Sequence, residues 1–183
     1  IYSHLDWEYT PAKVISITTH KSHNYLTINK GTRDGIAEDM GVVCYSGVVG
    51  IVSAVSEKYA LVVPTIHTEM NLSCRLKKND YVGRTQWMGK NYQQVALKDI
   101  SRHISVERGD TVITSGLTPI FPEGIMVGIV EETSLNISDN YHQTTLQLST
   151  DYRSIKYVQV IKNRASQLIN NDNSPTQWSG LKK

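Results

Sequence analysis

Gly47-Val48-Val49-Gly50-Ile51-Val52 is a run of β-branched residues punctuated by glycine, and Gly124-Ile125-Met126-Val127-Gly128-Ile129-Val130 repeats its pattern. β-Branched side chains fit a pleated, half-buried surface. A glycine inside such a strand marks a sharp bend or the close approach of a neighbouring backbone. The echo extends to both sides. Upstream, Ile36-Ala37-Glu38-Asp39-Met40-Gly41-Val42-Val43 is matched by Ile104-Ser105-Val106-Glu107-Arg108-Gly109-Asp110-Thr111-Val112. Downstream, Leu61-Val62-Val63-Pro64-Thr65 is matched by Thr145-Leu146-Gln147-Leu148-Ser149-Thr150. The pattern predicts one small all-β unit written twice, with altered loops.

With 183 residues, 39% of them hydrophobic and 20% charged, the chain has an ordinary globular composition and room for one or two domains. The duplication favours two, of roughly 60 to 90 residues each. Tyr25-Leu26-Thr27-Ile28-Asn29 alternates as a strand with Leu26 and Ile28 inward, and many further short strands are separated by turn residues. Glycine-bent strands help to close a sheet and remove its edges, so two consecutive small β-barrels are expected. Residues 1–11 read as a lead-in, the end of a helical or coiled-coil linker, which stops against Pro11 because proline disfavours helix just before it. Residues 12–68 read as the first barrel and 69–162 as the second, with a boundary at His67-Thr68-Glu69. The last strand, 157–162, can complete either one. Ile36–Gly41 is too short for a helix and fits a single turn plugging a barrel end. Residues 163–183 are polar enough to predict a flexible tail.

Charge and composition narrow the partners. Nineteen Lys and Arg against 17 Asp and Glu give a net charge of +2, without the clustered basic face that nucleic acid requires. Aromatics are 8% with Phe121 the single phenylalanine, a poor platform for stacked bases. No run approaches the ~18 apolar residues of a membrane span. Cys44 and Cys74 follow the inward period of their strands. They read as buried free thiols, a bridge between them being the alternative in an oxidising compartment.

A double barrel raises the question of a serine protease. Ser115, in Thr114-Ser115-Gly116, is the one serine in a suggestive glycine context, but no motif ties His20, His23, His67, His103 or His142 to it. The alternative reading of Ser115 is a turn residue whose hydroxyl serves the backbone. His20 and His23 lack a Cys, Asp or Glu at ligand spacing, so neither metal nor cofactor is predicted. Gly31-Thr32-Arg33-Asp34-Gly35 lacks the Lys-Ser/Thr ending of a phosphate loop. The insertion Thr118-Pro119-Ile120-Phe121-Pro122-Glu123-Gly124 stands where the first repeat has only Tyr45-Ser46. Its Ile120, Phe121 and Pro122 are either a cap on their own barrel or a stiff apolar anchor for a partner. A module that binds and performs no reaction is what remains.

Four segments in order carry a resemblance to a known family. They are Asn29-Lys30-Gly31-Thr32-Arg33-Asp34-Gly35-Ile36, Gly47 to Val52, Gly109-Asp110-Thr111-Val112-Ile113-Thr114-Ser115-Gly116, and Phe121-Pro122-Glu123-Gly124-Ile125-Met126-Val127-Gly128. Together, over about residues 12–162, they resemble MreC, the rod shape-determining family; the segments around Lys77 to Gly83 and Asp99 to His103 look like its Bacteroidetes branch. The resemblance implies Gly31, Gly35, Gly47, Gly50, Gly109, Gly116, Gly124 and Gly128 as structural glycines. It implies a non-enzymatic scaffold of the cell-elongation machinery with two periplasmic barrels, anchored in the inner membrane by one N-terminal helix. The implied partners are MreB, MreD, RodA and a class B penicillin-binding transpeptidase, with self-association into dimers or filaments, here expected through strand edges. The readings outside the family are an envelope serine protease and a peptidoglycan-binding module using Tyr81, Trp87 and Tyr92.

Overall fold

The computed structural model describes residues 7–164. Its strands are β1 (Trp7–Ile17), β2 (Leu26–Ile28), β3 (Gly41–Cys44), β4 (Gly47–Val55), β5 (Ala60–Pro64), β6 (Ser73–Leu76), β7 (Val82–Gln86), β8 (Gln94–Lys98), β9 (Thr111–Thr114), β10 (Met126–Ser134), β11 (Gln143–Leu148) and β12 (Tyr157–Asn163). They close into two six-stranded barrels, in the orders β1-β12-β3-β4-β5-β2 and β10-β11-β8-β7-β6-β9. Every ladder is antiparallel. The all-β, double-barrel expectation holds. Closure leaves no open sheet edge in either barrel, so the expected pairing of copies through strand edges has nothing to pair with.

The duplication is written in the hydrogen bonds. Val52 N–H donates to Met40 O while Asp39 N–H donates to Val52 O, both at 2.9 Å; Val130 and the Gly109-Asp110 pair repeat this at 2.8 Å. Gly50 faces Val42 and Pro64 across its two ladders, as Gly128 faces Val112 and Leu148. At both glycines the reason is close approach rather than backbone angle. A Cβ on Gly50 would stand 2.1 Å from Val63 O, and one on Gly128 2.4 Å from Gln147 O. The registers shift beside both, between Val42 and Val43, and between Met126 and Gly128, as bulges do where a sheet must curl.

With β1–β5 superposed in order on β7–β11, β12 falls on β6. The strand that follows β5 therefore closes the second barrel, and the strand that follows β11 returns to close the first. The inward faces fill each barrel with aliphatic side chains: Leu26, Ile28, Val42, Val62, Val158 and Val160 in one, Leu76, Leu97, Val112, Val130 and Leu146 in the other.

Four sequence expectations change. Residues 7–11 are strand, not helix: Trp7 is buried and pairs with Asn163, and Pro11 sits exposed opposite Gln159. Residues 1–6 lie outside the described segment. Strand continues through Asn163, so the expected tail starts later, and its residues 165–183 also lie outside. The short helical turn is Thr32–Asp34, ahead of Ile36–Gly41; Ile36 itself is buried. Cys74 is buried, whereas Cys44 is half-buried; both are free thiols.

Candidate functional site: the seam between the barrels and the cleft beside it

The turn after β11 crosses to the first barrel. Thr150 Oγ1 donates to Val48 O at 2.8 Å. Tyr152, fully buried, donates its phenol proton to Val49 O at 2.5 Å, and Thr65 donates its N–H (3.2 Å) and hydroxyl (2.6 Å) to the phenol oxygen. Burial pushes the Tyr152 phenol well above its ordinary pKa, opposed by its bonds with Thr65. From the other side, Gly47 lies so close to the second barrel that a Cβ would meet Met126 O at 2.2 Å and Ser149 Oγ at 2.4 Å. Its φ of +149° is also one that side chains rarely adopt.

The insertion before β10 belongs to this seam. Phe121 is only 2% exposed, and a Cβ at Gly41 of β3 would touch its ring at 2.7 Å and Ile120 O at 2.6 Å. The side chain offered above as a partner anchor is thus spent on joining the barrels. Pro122 is buried and Ile120 half-buried with it; its carbonyl accepts from Thr114 Oγ1 at 2.6 Å. Burying a phenylalanine this fully contributes about 1.5–3 kcal/mol. Sequence identified the apolar loop but not its target, because Gly41 lies about 80 residues away and nothing local points to it.

The remaining predicted residues sit as follows. Gly31 and Gly35 flank the Thr32–Asp34 turn, Gly109 and Gly116 flank β9, and Gly124 precedes β10. Ser115 is 6% exposed, shares a hydrogen bond with Ser73 Oγ at 2.8 Å and accepts from Leu117 N–H at 3.3 Å. Among the described residues no histidine bonds to it, and its hydroxyl serves the turn. His67, at the boundary read between the two barrels, is buried between His23 and Tyr25, at ring distances of 4.9 and 5.3 Å. Burial and the neighbouring His23 lower its pKa. Among the described residues no group of three His, Cys, Asp or Glu is arranged to hold a metal ion. Trp87 is buried with its Nε1–H donated to Asn91 O at 2.8 Å, and Arg153 covers the ring of Tyr92 at 4.0 Å. That removes the aromatic platform expected at Tyr81, Trp87 and Tyr92.

Two clefts bear on function. One of about 560 Å³ on the second barrel is polar, with Lys98, Arg108, Glu131 and Glu132 in its lining. The other, of about 480 Å³, opens on the first barrel where β1, β12 and the β3–β4 turn meet. Pro11, Lys13, Lys30, Cys44, Tyr45 and Tyr157 line it. Tyr45 is as exposed as a side chain can be, at 102%, and Tyr157 is 69% exposed. Neither tyrosine was singled out in the sequence; the available signal was an aromatic at position 45, in a two-residue hairpin turn where small polar residues are usual.

Two closed antiparallel barrels joined at a buried seam, with Ser115 tied into a turn, define the class: an all-β double-barrel module. The chain belongs to the MreC family: residues 14–162 match the family model described as "Rod shape-determining protein MreC, barrel core". It is 26% identical over 163 residues to the cell shape-determining protein MreC of Listeria monocytogenes, covering 87% of this chain and 55% of that protein. The chain thus spans about half the length of this curated relative. Among solved structures it resembles the L. monocytogenes MreC with a TM-score of 0.79 at 25% identity, covering 87% of this chain and 77% of that one. The major periplasmic domain of the cell shape-determining filament MreC gives 0.71 at 22% identity, covering 86% and 96%. A Helicobacter pylori complex between penicillin-binding protein PBP2 and MreC gives 0.68 at 22%, covering 86% and 99%.

Proposed function

We propose that this chain is the double-barrel part of a non-catalytic scaffold of the cell-elongation (Rod) complex. It maintains rod shape by binding and regulating peptidoglycan synthases from the periplasmic side of the inner membrane, to which the whole protein is anchored by one N-terminal helix. The partner at the centre of this reading is a class B penicillin-binding transpeptidase, with RodA, MreD and MreB in the same assembly and self-association alongside. The observation that carries it is family membership over the two barrels, together with a structural relative solved in complex with PBP2. A stiff module regulates by binding one conformation of its partner better than another, and the shift it causes cannot exceed that difference in affinity.

The test is biolayer interferometry with this chain immobilised and the periplasmic part of the same bacterium's class B transpeptidase in solution. Saturable binding is expected; none at about 100 μM, where even a weak complex registers, sinks the reading. A fluorophosphonate probe should leave Ser115 unlabelled. Stoichiometric labelling there would restore the protease.

A further inference from the structure

Because both barrels are closed, a partner cannot be captured by adding a strand to an edge; it must be read by side chains in a concavity. We propose that the 480 Å³ cleft on the first barrel is the docking site for an extended segment of the penicillin-binding partner, carrying an aromatic or aliphatic anchor beside carboxylates. This rests on the transpeptidase reading above and adds where the contact is made and what chemistry it takes.

Three observations converge on the cleft. Its two tyrosines are exposed, on backbone positions set by the first barrel. Tyr45 sits in the turn between β3 and β4, two residues from Gly47 at the seam, and Tyr157 opens β12 directly across from Lys13 of β1. Covering such a ring removes a large apolar surface from water while only two side-chain torsions have to be fixed, which is what makes tyrosine an interface anchor. The charge is one-sided: Lys13 has no ion pair among the described residues, nor has Lys156 in the adjoining recess of about 170 Å³. Lys30 is engaged by Asp34 at 2.8 Å, and Asp151 caps its own turn by accepting from Arg153 N–H at 3.0 Å. The cleft continues into the seam, since Cys44 and Tyr45 also line the adjoining recess, where Cys44 Sγ lies 3.5 Å from Thr150 Oγ1 of the turn after β11. The larger cleft differs: no aromatic residue lines it, and Glu131 and Glu132 share its lining with Lys98 and Arg108. An anionic segment with an apolar anchor is therefore better matched to the Tyr45–Tyr157 cleft than to that mixed-charge one.

The experiment is the same binding assay run on the full chain and four variants. Tyr45→Ala with Tyr157→Ala should weaken transpeptidase binding at least about tenfold, the size expected for losing two anchors. Lys13→Glu with Lys156→Glu should weaken it severalfold at low salt, with the difference fading as salt screens it. Arg108→Ala and Glu132→Ala, in the polar cleft, should leave affinity unchanged. All four alter exposed or solvent-facing groups, and unchanged thermal melting confirms the fold. Wild-type binding with undiminished binding by the tyrosine variant overturns this site while leaving the transpeptidase reading intact. No wild-type binding removes the reading itself. If the tyrosine variant instead loses only self-association in sedimentation, the occupant is a second copy and the proposal fails.

Discussion

The two barrels share a strand order, matched bulges and a matched glycine, yet they are closed in opposite ways. The second is complete within residues 73–148. The first waits for β12, more than ninety residues after β5. Each repeat thus lends its sixth strand to the other, and the seam residues Gly47, Phe121 and Tyr152 hold the exchanged halves together. The contrast teaches that duplication set the local shape of each sheet, while long-range pairing decided which barrel each strand completes.

The largest test removes β12 by ending the chain after Lys156, with an ending after Arg164 as control. The first barrel should lose its amide protection throughout, having forfeited both the β1 and β3 ladders and the buried Val158, Val160 and Ile161. The second should keep its protected amides in hydrogen exchange. Simultaneous collapse of both would show that the seam, not the ladder, is the cooperative unit.

Next in size are Gly50→Ala and Gly128→Ala, made separately. In each, a methyl would have to displace a neighbouring backbone carbonyl, and overpacking of this kind costs about 3 kcal/mol. Equal losses in urea unfolding would support equivalent roles. A clearly smaller loss at Gly128 would fit its slightly longer approach, 2.4 against 2.1 Å.

At the seam, Tyr152→Phe removes a phenol oxygen that satisfies Val49 O and Thr65 without emptying the space it fills. Leaving buried partners short of a hydrogen bond costs about 1–3 kcal/mol, which should appear as a lower urea midpoint. Should the variant unfold its barrels in two separate transitions, Tyr152 couples them; a single shifted transition would confine its role to local stability.

The sequence carried the short-range part of this architecture. Gly50 and Gly128 announced bent strands because a glycine among Val and Ile has few other uses. It did not settle the reach of β1: Trp7 and Tyr9 alternate with Glu8 and Thr10 as strand residues do, but the run is short and Pro11 suggested a boundary. Nor did it carry the burial of Phe121, whose pocket is made by Gly41 of the other repeat. The cleft tyrosines were silent for the same reason: exposure is a property of what a residue fails to meet, and strand spacing does not report it.

The smallest expected effect concerns one pair of matched positions. Val42 and Val112 are equivalent, and counting along their ladders to β12 and β6 places Cys74 of the second barrel where Val158 stands in the first. Both are buried, but only the thiol can ionise, and burial pushes it from 9.0 up to about 12. The folded state therefore holds the Cys74 proton more tightly than the unfolded chain does. Its contribution is complete below pH 9 and is lost as pH rises toward 12, with a slope of at most about 1.4 kcal/mol per pH unit. Cys74→Val makes the two barrels alike here. The wild type should lose stability relative to this variant as the alkaline side is entered, by less than about 1 kcal/mol at pH 9.5 and more at pH 10.5. Tyr152 adds a decline above pH 10 common to both proteins, its phenol also being raised by burial. Urea midpoints measured at pH 7, 9.5 and 10.5 separate the two sources, because the Tyr152 decline cancels in the difference. A difference that does not grow between pH 7 and 10.5 would mean the Cys74 thiolate is not excluded from the second barrel.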